Sequence, residues 1–287
     1  MGNMVSDMKK VAIMYDFDKT LSTCDMQEYS LIPSLGYDDP KVFWEEVSAY
    51  SKKHKMDSIL SYMFKVLEQS PDGFNYNNIK QLGADVEFYD GVLDWFERIN
   101  EYGNSLGLEI EHYIISSGMK EMIKGTKIAK YFKKIYACKY VYDEECNKAI
   151  WPGVVVNYTT KTQYIFRINK QVLDENDNNG INDYVEQELR PIPFRRMIYL
   201  GDGITDVPCM KLVNEYGGNS IALYNDDNIK SKDIVKKLID DNRANYMAKA
   251  DYREGKRLDK IVKGILENIK STEALLEMEG YDEEIAE

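Results

Sequence analysis

Short apolar runs closed by charged or turn-forming residues alternate along this chain with longer stretches whose apolar positions recur at helical spacing. Val11–Tyr15, Tyr113–Ile115, Met197–Leu200 and Ser220–Tyr224 are of the first kind. Their length and composition suit strands buried on both faces of a parallel sheet. The second kind includes Val92, Leu93, Trp95, Phe96, Ile99 and Tyr102, then Tyr164, Ile165, Ile168 and Val172, and later helices over 207–216, 233–239 and 258–269. Such alternation predicts an α/β fold with a central, mainly parallel sheet flanked by helices. Lys134–Tyr142 and Ala149–Val156 read as two strands around a polar loop, a small flap on the sheet edge.

One interval breaks the alternation. From Ser22 to about Phe88 the pattern is helical throughout. Asp39-Pro40 is a helix start with proline at the first helical position, followed by Val42, Phe43, Trp44, Val47 and Tyr50. A second helix carries Ile59, Leu60, Met63, Phe64 and Leu67 up to the turn Ser70-Pro71-Asp72-Gly73. The aromatic stripe is read as the core of a small bundle.

The chemistry gathers where strands end. Asp16 and Asp18 leave the first strand with one residue between them, and in open α/β sheets ligands bind beyond the carboxyl ends of the strands. Two carboxylates so close remain ionised only beside a cation or several donors, which makes a metal site with hard oxygen ligands. Downstream, Gly201-Asp202-Gly203-Ile204-Thr205-Asp206 repeats the arrangement, with glycines for a sharp turn and Asp206 in position to fold back toward Asp202. Between them, Ser116-Ser117-Gly118 supplies hydroxyls and the amides of an expected helix start, suited to a phosphate. Lys161 opens another amphipathic run.

This order of acid pair, hydroxyl, lysine and second acid pair resembles the four motifs of the haloacid dehalogenase (HAD) superfamily. Asp16-Phe-Asp18-Lys-Thr20 matches the first, Ser116 the second, Lys161 the third and Gly201-Asp202-Gly203-x-x-Asp206 the fourth. The likeness runs from Val11 to about Lys270, and the insertion after the first motif points to the phosphoserine phosphatase-like branch. It implies a Rossmann-like core formed by residues 1–21 and 89–287, with 22–88 inserted as a helical-bundle cap. It further implies a Mg²⁺-dependent phosphatase acting on a small phosphorylated metabolite through an aspartyl-phosphate intermediate.

In that scheme Asp16 is the nucleophile and Asp18 the acid and base. Mg²⁺ lies on the Asp16 and Asp202 carboxylates and the Asp18 carbonyl, with Asp206 orienting that shell. Ser116, Ser117, Gly118 and Lys161 bind the phosphate, Thr20 fixes the turn that places Asp18, and Gly203 belongs to the fourth-motif turn. Asp25 falls where phosphoserine phosphatases carry an acid for the substrate amine. Those enzymes also clamp the substrate carboxylate with a cap arginine. This chain has no arginine before Arg98, only lysines such as Lys41, Lys52, Lys53, Lys55 and Lys65, which lack the planar fork. Asp18 speaks against a dehalogenase. The alternatives are a phosphotransferase to an alcohol acceptor and a non-enzymatic phospho-receiver or binding protein.

Composition narrows the partners. The 287 residues carry a formal charge of −12 with no basic run, which argues against nucleic acid and anionic membranes. No stretch is long enough to span a bilayer, and the first strand is too short for a signal peptide, so the expected compartment is the cytoplasm. Cys24, Cys138, Cys146 and Cys209 have no metal spacing, and His112 is a sheet residue. Glu175–Glu186 imitates a calcium loop with its apolar residue, Ile181, out of phase, and is read as a polar insertion. The acidic end, Met278–Glu287, is expected to fray.

Overall fold

The computed structural model describes residues 8–70, 73–226 and 229–278. Strand β1 (Lys9–Tyr15) is followed by five helices, α1 (Met26–Tyr29), α2 (Leu31–Ser34), α3 (Pro40–His54), α4 (Ser58–Gln69) and α5 (Tyr76–Leu82). Then come α6 (Val92–Ser105), β2 (Leu108–Met119), α7 (Lys120–Gly125), β3 (Phe132–Tyr142), β4 (Ala149–Val154), α8 (Lys161–Lys170) and α9 (Asn178–Asn182). The chain continues through β5 (Met197–Gly201), α10 (Val207–Glu215), β6 (Asn219–Tyr224), α11 (Ile229–Asp240), β7 (Tyr246–Lys249) and α12 (Arg257–Glu277).

Among the described residues the sheet has seven strands in the order β4-β3-β2-β1-β5-β6-β7, parallel except for β4, which runs antiparallel to β3. This is the mixed, mainly parallel sheet expected. Val11 to Tyr15 have no exposed surface, as a strand covered on both faces requires. β1 pairs with β2 on one side and β5 on the other, in a register that sets Tyr15 opposite both Ile114 and Leu200. The order of connection reverses at β1, so a crevice opens beyond its end. Asp16 begins there, its amide donating to the Leu200 carbonyl at 2.9 Å.

The helices between β1 and β2 start where side chains cap them. Asp39 accepts from the Lys41 amide ahead of Pro40, Asp57 from Ile59 and Leu60, and Asn75 from Asn78. The stripe on α3 divides: Phe43 and Val47 are buried, Trp44 is half-buried, and Val42 is exposed. The chain enters and leaves this helical stretch side by side. Ser22 bridges Phe88, the Thr23 amide donates to Glu87, and the Tyr89 amide donates to Leu21.

Several expectations need correction. β2 continues to Met119, so Ser117-Gly118 opens no helix, and α7 starts at Lys120 without a side-chain cap. Pairing to β3 as far as Cys138 holds this end extended. α12 runs two turns past Ile269 because Glu273 reaches Arg195 at 2.7 Å, and α11 begins before Asp233. β7 has no counterpart among the expected strands, while α5 falls within the stretch expected to be helical. α4 ends at Gln69, while Pro71 and Asp72 of the expected turn, and residues 279–287 of the acidic end, lie outside the described residues. Among the described residues no helix is long and apolar enough to cross a membrane.

His112 is buried in β2 as expected. Trp95 Nε1 donates to Tyr15 Oη at 2.9 Å, Tyr15 Oη lies 3.0 Å from His112 Nδ1, and His112 Nε2 lies 3.0 Å from Asn100 Oδ1. The indole can only donate, so the phenol proton is directed to Nδ1 and the neutral imidazole donates from Nε2. Burial lowers the His112 pKa from 6.5 to about 3. The unfolded chain therefore binds this proton first on acidification. The contribution is complete above the unfolded value and is lost as the pH falls from there toward the folded one. His112→Gln should flatten the pH dependence of urea unfolding, removing about 2 kcal/mol of the loss between about pH 7.5 and about pH 5. Equal slopes in the two proteins would refute a buried neutral ring.

Candidate active site

Three acids from two strand ends and one lysine meet beyond β1 and β5. One carboxylate oxygen each from Asp16, Asp202 and Asp206 lies within 4.8 Å of the others, the one such group of metal-ligating side chains among the described residues. Lys161 Nζ, 1% exposed at the first turn of α8, is 3.0 Å from Asp16 Oδ1 and 2.8 Å from Asp206 Oδ1. Tyr199 Oη donates to the same Asp206 oxygen at 2.7 Å, which leaves the buried Asp206 Oδ2 without a partner.

Three carboxylates thus face one ammonium. Burial, then the charge of Asp206, pushes Asp16 up to about 6 against the pull of Lys161. Burial also raises Asp202, helped by Asp206 and Asp16, while both Asp16 and Asp206 hold Lys161 protonated against its own burial. The cluster lacks positive charge and has an unused buried oxygen, and its donors are all hard oxygens. It is suited to hold a cation of the magnesium or manganese kind.

Asp18 is turned away from the cluster. Its Oδ1 accepts from the Met26 amide at 2.7 Å, and burial, followed by the charges of Asp25 and Asp16, lifts its pKa well above the usual range. The turn after it places Lys19 in the left-handed region, at φ 56°. Thr20 does not hold that turn by its hydroxyl, which is buried without a partner. Its carbonyl instead accepts from Tyr252 Oη at 2.8 Å. The fourth-motif glycines also work differently from the expected turn. Neither has positive φ, but a Cβ on Gly201 would meet Asp206 Oδ2 at 2.5 Å, whereas one on Gly203 would meet nothing within 4 Å.

Ser116 is fully buried, and its Oγ accepts from the Gly118 amide at 2.9 Å. Ser117 is half-buried, with its carbonyl accepting from Tyr62 Oη. Gly118 packs tightly against the residues after the first strand, since a Cβ would meet Met26 Cε at 2.1 Å and Asp18 Oδ2 at 3.0 Å. Asp25 precedes α1 without capping it by its side chain, because its carboxylate is paired with Lys19 at 2.5 Å.

Two cavities flank these acids. One of about 470 Å³ lies between the core and α3–α4, with Asp18, Asp25 and Ser117 at its base and Trp44 and Tyr62 among its walls. The other, about 370 Å³, adjoins Lys19, Tyr89, Asp202 and Gly203. Trp44 is therefore a cavity wall as well as bundle packing. Gln27, Trp44, Tyr62 and Tyr199 are among the site residues that no motif signalled. Trp44 and Tyr62 look like core on a helix, and Tyr199 looks like any aromatic in a strand.

The remaining candidates lie elsewhere. Four carbonyls of the Glu175–Glu186 segment accept from the protein's own cations. Arg167 donates to Asp174, Glu175 and Asp177, and Lys170 to Ile181 and Asp183. Cys138 and Cys209 are buried thiols, each pushed up to about 12 by burial.

A sheet of this order, with an acid at the end of β1 and a second acidic turn after β5, has the fold of HAD family hydrolases. A HAD family hydrolase from Salmonella enterica serovar Typhi superposes with a TM-score of 0.57 at 15% identity, over 83% of this chain and 66% of that one. A phosphoserine phosphatase solved as an analogue of its phospho-aspartyl intermediate gives a TM-score of 0.54 at 14% identity, over 89% of this chain and 99% of that one. A substrate-bound phosphoserine phosphatase gives 0.54 at 14% identity, over 89% and 98%. Within that fold, the chain belongs to one family with an uncharacterised protein of Borreliella burgdorferi, 32% identical over 279 residues, 86% of this chain and 93% of that protein. No family model matches the chain.

Proposed function

We propose that the chain is a Mg²⁺-dependent phosphatase that hydrolyses a small phosphomonoester through an aspartyl-phosphate on Asp16. The observation that carries this reading is the acid cluster at one sheet edge, bridged by Lys161, with Asp18 raised in pKa and facing a separate cavity.

Asp16, held by Lys161, attacks phosphorus in line, and the substrate alkoxide leaves toward the cavity. Asp18 gives that alkoxide its proton. A carboxyl whose pKa burial has raised well above the usual range keeps the proton until it is needed. In the second half-reaction the same oxygen takes a proton from the water that attacks the phosphoenzyme. Lys161 offsets charge on the transferring group, and Ser116 and Ser117 bind its oxygens, the Gly118 amide holding the Ser116 hydroxyl in place. Asp16, Asp202 and the Asp18 carbonyl would hold Mg²⁺, with Asp206 orienting them. When bound, the ion supplies positive charge against the phosphoryl oxygens.

Residues 22–88 form the cap in this reading and 1–21 with 89–287 the core. The bridge between Ser22 and Phe88 supports these limits, because both crossings then fall at one hinge. Closure excludes water from the phosphorylated aspartate. Of the cap lysines Lys41, Lys52, Lys53, Lys55 and Lys65, only Lys52 lines the cavity. A cavity over the acid/base favours an enzyme over a passive phospho-receiver, which needs no such space.

The deciding experiment is phosphate release from aryl and small alkyl phosphates with the metal varied and alcohols added. Mg²⁺-dependent free phosphate is expected. Phosphate passing mainly to the alcohol would establish a phosphotransferase instead, and a stable acyl phosphate without turnover would establish a receiver.

The metal part can be tested without turnover. Saturating Mg²⁺ should raise Tm by about 5 °C. Asp202→Asn should abolish that rise. Because burial and its neighbours raise the Asp202 pKa, its ionised form opposes folding at neutral pH, so the variant should also melt higher than wild type in chelator. A lower Tm in chelator, or an undiminished Mg²⁺ effect, would exclude Asp202 as a ligand.

A further inference from the structure

Among the residues lining the 470 Å³ cavity, one has a buried polar atom without a partner in the protein. Gln27, in the short helix just past the hinge, is 2% exposed and lines the cavity, and its Oε1 is buried without a hydrogen-bond partner. A buried amide oxygen left unpaired is costly, and a cavity built with one discriminates strongly for a ligand that completes it. The charged groups nearby are less available. The Asp25 carboxylate is already paired with Lys19, and Glu28 accepts from Trp44 Nε1 at 3.1 Å. The cavity's cation, Lys52, is on exposed surface at its rim, where water competes for any carboxylate.

The walls sort by character. Trp44, Val47, Ile59 and Tyr62 present apolar or ring surface, while Gln27 and serines such as Ser48 and Ser58 present amide and hydroxyl groups. An occupant with an apolar face of C–H groups and a polar edge of hydroxyls fits both walls. A zwitterionic alcohol would need two free, opposed charges.

Resting on the phosphatase reading above, the geometry points to Gln27 as a specificity-determining residue that accepts a hydrogen bond from a hydroxyl of the leaving alcohol. The substrate class is accordingly the monophosphate of a neutral polyhydroxy alcohol or sugar. Gln27 takes no part in the phosphoryl step. It positions the leaving group so that its ester oxygen meets Asp18.

The test compares kcat/KM on the full chain with Mg²⁺ for matched pairs, glycerol phosphate against propyl phosphate and ribose phosphate against deoxyribose phosphate. Phosphoserine and phosphoethanolamine serve as amine-bearing competitors and p-nitrophenyl phosphate as the reference. For at least one pair, wild type should favour the hydroxylated member by about 10- to 100-fold, mostly in KM, and favour it over both amines. Gln27→Leu should bring that ratio close to one, and Gln27→Asn, which keeps the amide on a shorter stem, should restore part of it.

No turnover of p-nitrophenyl phosphate would defeat the phosphatase reading itself. Turnover of the aryl ester with no hydroxyl preference, or with an amine-bearing substrate preferred, would overturn the assignment of Gln27 and leave the phosphatase reading standing. An unchanged ratio in Gln27→Leu would do the same. Should that variant fail to fold, the wild-type pairs alone decide.

Discussion

Asp16→Asn is expected to lower Mg²⁺-dependent hydrolysis of p-nitrophenyl phosphate by about ten-thousand-fold or more while leaving a folded protein. The substitution keeps shape and one oxygen, so the side chain still accepts from Lys161 across the present 3.0 Å contact. It removes the charge and the nucleophilic oxygen together. The loss should therefore appear in kcat, because the phosphoenzyme cannot form, and no acyl phosphate should be trapped on acid quenching. Burial and Asp206 already oppose ionisation of Asp16, so a neutral group there should not weaken the metal-free fold by more than about 1 kcal/mol. The measurement is steady-state turnover beside a thermal melt. Residual turnover above about one per cent in a correctly folded variant would mean that another group attacks phosphorus.

Lys161→Met should give the largest stability loss of any single change at the site. Among the described residues the Lys161 ammonium is the cation buried against Asp16 and Asp206, and the methionine chain fills the same channel without charge. Removing one partner of a buried ionic group leaves the others uncompensated, at a cost of about 3–5 kcal/mol at neutral pH. The sign with pH follows from the carboxyls. Asp16 already has a folded pKa raised to about 6, above its ordinary 3.8, and losing Lys161 moves it higher. A raised carboxyl opposes folding while ionised and stops doing so once protonated, so the deficit should shrink as the pH falls through that raised value. Urea unfolding near pH 7.5 and near pH 5, with and without Mg²⁺, measures this. A deficit independent of pH would indicate lost packing rather than lost charge. Added Mg²⁺ should recover part of it by supplying charge to the same oxygens.

Much of this arrangement was legible before any tertiary contact was known, for local reasons. Val11–Tyr15 is apolar with charge on both sides, and such a run has few choices other than a strand covered on two faces. Asp39-Pro40 starts a helix because a short acceptor ahead of free amides acts within a few residues. Asp16, Asp18, Lys161, Asp202 and Asp206 were nameable because each follows a strand or opens a helix at a recognisable spacing, and Ser116 because its hydroxyl comes straight after an apolar run. Less legible were element ends governed by distant partners. β2 outlasted its expected length by pairing with β3, and α12 was extended by Arg195. β7 is a four-residue strand whose pairing to β6 is tertiary throughout.

By itself, the amino-acid order determined that acids, hydroxyls and a lysine stand at the ends of an alternating series of strands and helices, since those positions follow from local periodicity and turn chemistry. Only the folded chain decided which of them meet. Lys161 is bonded to two acids rather than one, Asp206 is left with a free oxygen, Asp18 is turned to the Met26 amide and lines the cavity beneath α3–α4, and Gln27 is closed in with an unpaired amide oxygen. Each of these depends on burial and on contacts between residues tens to hundreds of positions apart. Desolvation and charge proximity are properties of three-dimensional neighbourhoods, and no short window of sequence contains them.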